Sequence, residues 1–432
     1  MARHLLIAAV CVGLVLPGAC GSPQRDLGGE NNGAAGDDTS AQAGVAGDQA
    51  QHRGESGSDA AGEGGAPVSN GSDTGGMPTA GASGHPSEAG MSGVAGGGAV
   101  CGNGKLEAGE HCDDGNKLAS DGCSEACAVE AGWICSDAPS VCTHPSCAGL
   151  AKTCGPSGNA DCCASPQVPG ITTATFYRSY DGHSTGYTNQ SYPAIVGNFR
   201  LDTYEITVGR FRKFVNAPYT FDMTPQGAGK NPNNAADTGW DAANWNASLD
   251  ANVSALTKTL ALCGANSTWT DAPGTAASES HALTCLDWYE AEAFCIWDGG
   301  RLPTEAEWNY AAAGGTEQLI YPWGATLADK AHAVYGTPTA AIVGSKSPTG
   351  DGKWGQADLS GNVREWVQDQ YVNPYPAGGC DNCAITSGST ERSIRGGSYY
   401  DNTVGADLLA SHRDADSQRN VDTGARCARS AN

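Results

Sequence analysis

Two sets of side chains in this sequence have the types and spacing for chemistry. Asp113, Asp114, Asn116 and Asp121 cluster between cysteines. A hard cation such as Ca²⁺ needs several oxygens at close range, and such a loop supplies them. The same Asp-Gly and Gly-Asn pairs also make plain turns, so both readings stand. Towards the C-terminus, Asp401, His412, Asp414 and Asp416 fall in one stretch. A histidine among carboxylates binds a metal or moves a proton. Equally, it forms a surface ion pair.

The first set sits in a disulfide framework. Residues 101–142 hold six cysteines, which the sequence leaves open to 15 pairings. Eighteen cysteines in a non-repetitive chain point to an oxidising compartment. That disfavours a zinc thiolate site, and His111 is the only histidine inside this unit. Residues 143–167 continue as a cysteine-rich collar, with Cys147, Cys154, Cys162 and Cys163.

The second set depends on the elements that precede it. Residues 299–315 read GGRLPTEAEWNYAAAGG. Thr304 followed by Glu307 is a capping box, Trp308, Ala311 and Ala312 fall on one helical face, and Gly314 is the stop. Asp287 with Glu290 starts another helix, over residues 288–298. Upstream, residues 199–207, FRLDTYEIT, alternate as a strand. Thr207 then caps a helix carrying Phe211, Phe214 and Val215, which Pro218 ends near Asn216. Residues 225–252 read as a long irregular insertion. Trp308, Trp323 and Trp366 read as core fillers.

The net charge of −23, with no basic run, excludes nucleic acid as an expected partner. Arg3 precedes an apolar run over residues 5–16, the right length for a signal-peptide core. LPGACGS follows, with Cys20 as the residue to be acylated and residues 1–19 as the signal peptide. Plain cleavage near Ala19 is the alternative, and either route exports the protein. Residues 20–100 read as a disordered Gly/Ala/Ser tether. Its last 80 residues hold 22 Gly, 10 acids and 2 Arg, without a single aromatic. Such a stretch cannot bury enough apolar area to order itself, and as a coil it reaches about 50 Å.

From residue 168 the composition turns aromatic and β-branched. Four blocks follow one another: WYEAEAFCIWDGGRLPTEAEWNYAAAGG, YPWG, GQADLSGNVREW and RGGSYY. In this order they resemble the formylglycine-generating enzyme (sulfatase-modifying factor) family, over residues 168–430. Residues 101–142 resemble a cysteine-rich repeat of bacterial surface proteins. The family resemblance implies an α+β chain with an irregular C-type-lectin-like fold. It also implies an oxidoreductase that binds copper through two cysteines and converts a sulfatase cysteine to an aldehyde.

The first of those cysteines would lie three residues after the Ser of RGGS, and the second five residues later. Here Ser398 is followed at those places by Asp401 and Ala406. A soft Cu(I)-thiolate site cannot form from a carboxylate and a methyl group. Neither copper nor a catalytic residue is therefore expected there. The resemblance further implies calcium at the GNxxEW turn, held by the carbonyls of Ser360, Gly361 and Val363 and the side chain of Glu365. Arg364 stands where the family usually has Trp. A Cys295–Cys427 bridge is implied as well. Cys263–Cys285 and Cys380–Cys383 pair by elimination.

Three readings follow. One is an exported surface protein, held at the cell envelope through a lipid on Cys20, whose large domain binds a surface protein or glycan without catalysis. Another is an oxidoreductase of the family's kind, or a different metal-dependent activity in the same pocket. The third is a purely structural envelope protein.

Overall fold

Disulfides do for the N-terminal module what apolar burial does elsewhere. The computed structural model describes residues 99–119, 121–172, 176–217, 224–402 and 405–431. The expected signal peptide, Cys20 and nearly all of the tether lie outside them. Cys101–Cys127, Cys112–Cys123 and Cys135–Cys142 are joined, and the module's buried cluster consists of these cysteines. A unit this small buries too little apolar surface to hold itself otherwise. Its one hairpin is β1 (Ile134–Ser136) with β2 (Val141–Thr143). Cys147–Cys163 and Cys154–Cys162 staple the collar.

The larger domain begins with β3 (Gln167–Val168), β4 (Phe176–Tyr177), β5 (Pro193–Ile195) and β6 (Phe199–Leu201). Six α-helices follow among the described residues: α1 (Val208–Val215), α2 (Ala242–Trp245), α3 (Val253–Leu262), α4 (Ala276–Glu279), α5 (Trp288–Trp297) and α6 (Glu305–Ala312). Then come β7 (Arg364–Gln370), β8 (Cys380–Asp381), β9 (Arg392–Arg395), β10 (Asp414–Asp416), β11 (Thr423–Gly424) and β12 (Ala428–Ser430). They form three small sheets, in the orders β10-β9-β7-β11, β12-β6-β3 and β4-β5-β8. The fold is α+β with much ordered loop. No helix among the described residues is long and apolar enough to cross a membrane.

The strand read over residues 199–207 stops at Leu201. Asp202 and Glu205 are fully buried, and the chain turns to point these acids inward. Asp202 takes Arg210 Nη1 at 2.9 Å and Arg429 Nε at 3.2 Å. After the turn, Thr207 caps α1 by accepting from Arg210 N, and Asn216 closes that helix. The insertion over residues 225–252 is not wholly irregular. It contains α2, and Trp240 is buried edge-on against Trp245 at 5.3 Å.

Both α5 and α6 open with complete capping boxes. The single apolar face read for α6 does not describe it, because all eight of its residues are buried. Two of them are glutamates with guanidinium partners. Glu307 binds Arg301 at 2.6 Å, and Glu305 binds both Arg395 at 3.0 Å and Arg413 at 2.8 Å. A helix is buried all round when its charges carry their own counter-charges. Trp308 and Trp366 fill the core as expected, whereas Trp323 does not. Trp323 is half-buried, stacked on Tyr321 at 5.2 Å and on His332 at 5.0 Å.

The cysteine-rich module and the collar belong to the same packed body as the domain that follows. A Cβ at Gly132 would lie 2.1 Å from Gly299 Cα, so the two backbones meet only as glycines. Ser146 N donates to Asp298 Oδ1 at 2.8 Å, and Ser146 Oγ accepts from Arg210 Nε at 3.0 Å. Beneath it, Asp202, Asp298, Arg210 and Arg429 form one buried ion network.

Candidate functional site

The Arg-Gly-Gly-Ser turn after β9 builds the place where the family's metal cysteines would stand. Gly396 and Gly397 both have positive φ, at +95° and +66°. A Cβ on Gly397 would lie 2.8 Å from the Asp407 carbonyl oxygen, so the turn can press against residues 406–408 only as glycine. At its tip, Ser398 N donates to Asp401 Oδ2 at 2.7 Å, and Ser398 Oγ donates to Asp422 Oδ2 at 2.9 Å. Asp422 in turn receives Arg364 Nε at 3.0 Å and Nη2 at 2.8 Å.

Arg364 also faces Asp416 at 3.8 Å and Asp414 at 3.9 Å. Two members of the predicted set, Asp414 and Asp416, therefore gather on a guanidinium. His412 goes elsewhere. Its Nε2 lies 3.2 Å from Asp407 Oδ1, and its Nδ1 is hydrogen-bonded to the Tyr187 hydroxyl at 2.7 Å. Burial, outweighing Asp407, holds the His412 pKa below the ordinary imidazole value, so the ring is neutral at pH 7. Burial pushes the Asp401 carboxyl up. Asp401 closes its own turn on Ser398, and Ala406 offers an exposed methyl group. Sequence reasoning missed Asp422, Asp407 and Tyr187. The one available signal was Arg364 itself, a cation that demands an anion nearby.

The residues read as a calcium site at the GNxxEW turn do not fit the ion through their carboxylate. Glu365 is fully buried and receives Arg426 Nε and Nη2, both at 2.7 Å, and Trp308 Nε1 at 2.9 Å. A cation there would sit against a guanidinium. Ser360, Gly361 and Val363 remain at the turn, but their charged partner is taken by the Arg of the C-terminal GARC block.

In the cysteine-rich module, Asp113 likewise does not fit a cation. Its carboxylate accepts the backbone N–H groups of Gly102, Asn103, Gly104 and Gly115, at 2.8–3.2 Å. Against the cost of burial, these four donors hold its pKa low. It is the internal anion that knots the loop. Asn116 Oδ1 accepts from Leu118 N at 2.6 Å. Asp114 and Asp121 remain as neighbours, and burial followed by the charge of Asp121 raises Asp114.

The structure joins Cys263 to Cys285, Cys295 to Cys427 and Cys380 to Cys383. Every cysteine among the described residues is bonded.

Deeper in, the domain buries many carboxyl groups, and these set its response to pH. Burial raises Asp358 to about 6, and Glu292 and Asp369 to about 7. Glu205, packed near Asp358, is raised well above the carboxylate range, chiefly by burial. Conversely, Asp202 sits near 2, because Arg429 and Arg210 outweigh its burial. Glu305 is lowered in the same way by Arg395 and Arg413. The raised groups hold protons that the unfolded chain releases above about pH 4, so their stabilisation is lost as pH rises towards 7. The lowered groups contribute above about pH 4 and lose it as pH falls towards 2. The melting temperature is therefore expected to peak between about pH 4 and 6, and to be lower by about 5 °C or more at pH 8. Thermal scans across pH check this. A flat profile from pH 5 to 8 would contradict it.

Residues 179–431 match the sulfatase-modifying factor enzyme 1-like domain. The mouse formylglycine-generating enzyme is 31% identical over 225 residues, which cover 47% of this chain and 58% of that enzyme. The bovine inactive C-alpha-formylglycine-generating enzyme 2 is 34% identical over 142 residues, covering 30% and 40%. The chain thus spans less than two thirds of either relative. Among solved structures, Treponema denticola variable protein 1 is 18% identical, with a TM-score of 0.40 over 62% of this chain and 95% of that one.

Proposed function

Since the chain belongs to the sulfatase-modifying factor enzyme family, we propose that its large domain keeps the family scaffold without the oxidation chemistry. It acts as a non-catalytic binding module of an exported protein. One observation carries this reading: at the two metal positions stand Asp401, a carboxylate hydrogen-bonded back to its own turn, and Ala406, a methyl group. Cu(I) selects soft ligands, and neither group is one. The relative named as inactive is a precedent for a member without turnover.

The expected result is no formylglycine. The full chain, copper, oxygen and a peptide with the sulfatase Cys-x-Pro-x-Arg motif are incubated, and the peptide mass is followed. Loss of the thiol in favour of an aldehyde would overturn the reading.

The run over residues 5–16 and LPGAC support export and acylation at Cys20, with residues 20–100 as a tether to a membrane. A module at the end of a long coil suits capture of a surface protein or glycan at a distance. Mass spectrometry of the mature N-terminus tests the anchor, and an unmodified terminus at Gly21 would defeat it.

A further inference from the structure

A cavity of about 330 Å³ lies between α5, the β7–β9 pair and the loop after β10. Its wall includes Trp288, Tyr289, Trp366, Arg392, Ser417 and Gln418. No aliphatic side chain lines it. The size is at the small end of ligand pockets.

Two arginines reach this cavity, and they differ. Arg419 is already satisfied by Glu290 at 2.7 Å, Asp287 at 3.0 Å and Asp250 at 3.4 Å. Arg392 is not: among the described residues no carboxylate lies within ion-pair distance of it. Its guanidinium carbon lies 3.4 Å from the centre of the Trp288 ring, and Nη1 donates to the Gln368 carbonyl at 3.0 Å. The acids closest in its field, Glu292 and Asp369, lie beyond ion-pair distance of it. A guanidinium held over an indole and anchored through one nitrogen keeps its other donors for a carboxylate. The hydroxyl and amide groups beside it suit a ring bearing several hydroxyls, and the aromatic side chains of the wall suit its C–H face.

We propose that this cavity binds a uronic acid residue of a saccharide, with Arg392 reading the carboxylate and Ser417 and Gln418 reading hydroxyls. The proposal rests on the domain's being a binding module and names its ligand class.

The full chain is titrated by calorimetry with galacturonic acid, and in parallel with galactose and N-acetylglutamate. Saturable binding of galacturonic acid alone is expected. Arg392→Gln should weaken it at least about tenfold, equal to about 1.4 kcal/mol. Gln418→Ala should weaken it without moving the melting temperature. Several outcomes overturn the proposal. Galacturonic acid fails to bind, or galactose binds equally well and the carboxylate is not read. N-acetylglutamate binds equally well and the sugar is not read, or affinity is unchanged in Arg392→Gln. If that variant does not fold, unchanged affinity in Gln418→Ala decides against it. The formylglycine assay is a separate measurement, so turnover there would end the binding-module reading whatever this titration gives.

Discussion

Glu305→Ala is expected to destabilise the folded domain by about 3–5 kcal/mol. Glu305 is almost fully buried at the start of α6. One oxygen takes Arg395 Nε at 3.0 Å and Arg413 Nε at 2.8 Å, and the other takes Arg413 Nη2 at 2.8 Å and Ser393 Oγ at 3.2 Å. Removing the carboxylate strands two guanidiniums. Arg395 is wholly buried and Arg413 nearly so, and neither can lose its charge. What is left is a pair of like charges against the Tyr375 ring, over which Arg413 sits at 3.8 Å. Glu305→Gln, which keeps shape but not charge, should fall between wild type and Ala. Thermal and denaturant unfolding measure both. A loss below about 1 kcal/mol for Glu305→Ala would mean that the cluster is hydrated and the burial argument fails.

The second large effect is expected from removing the Cys295–Cys427 bridge, as the double alanine variant. The two cysteines are 132 residues apart and both fully buried. Chain-entropy reasoning values a loop of that length at about 4–5 kcal/mol. The bridge ties α5 to the segment entering β12, close to the collar's ion network. Loss of the Cys380–Cys383 bridge, with a separation of 3, should cost much less, because so short a loop leaves the unfolded chain little freedom to lose. Comparing the melting temperatures of the two double variants is the test. Equal losses would show that local packing at each site, and not loop closure, sets the effect.

Much of the scaffold was legible because its signals are local. The capping boxes at Asp287 and Thr304 need only residues three apart, and both formed. Thr207 and Asn216 bound α1 for the same reason. The four ordered blocks were enough for the family, because word order survives where single positions do not. The loss of soft ligands at positions 401 and 406 could also be read from residue identity alone.

What the sequence could not supply is where each charge finds its partner. Glu365 looked free for calcium until Arg426, 61 residues on, was seen on both of its oxygens. His412, Asp414 and Asp416 lie within five residues of one another, yet the acids go to Arg364 and the histidine to Asp407 and Tyr187. Helix caps and composition are set by neighbours in the chain. Ion pairs are set by neighbours in space, and in a domain with this much loop the two are unrelated until the backbone has folded. By itself the sequence determined the family, the starts of α1, α5 and α6, and the absence of a thiolate pair. Tertiary structure alone decided which acids are neutralised and which of the described arginines, Arg392 among them, have no carboxylate within ion-pair distance. The physical reason is that a buried charge costs too much to leave unpaired, and its partner is chosen by distance through space.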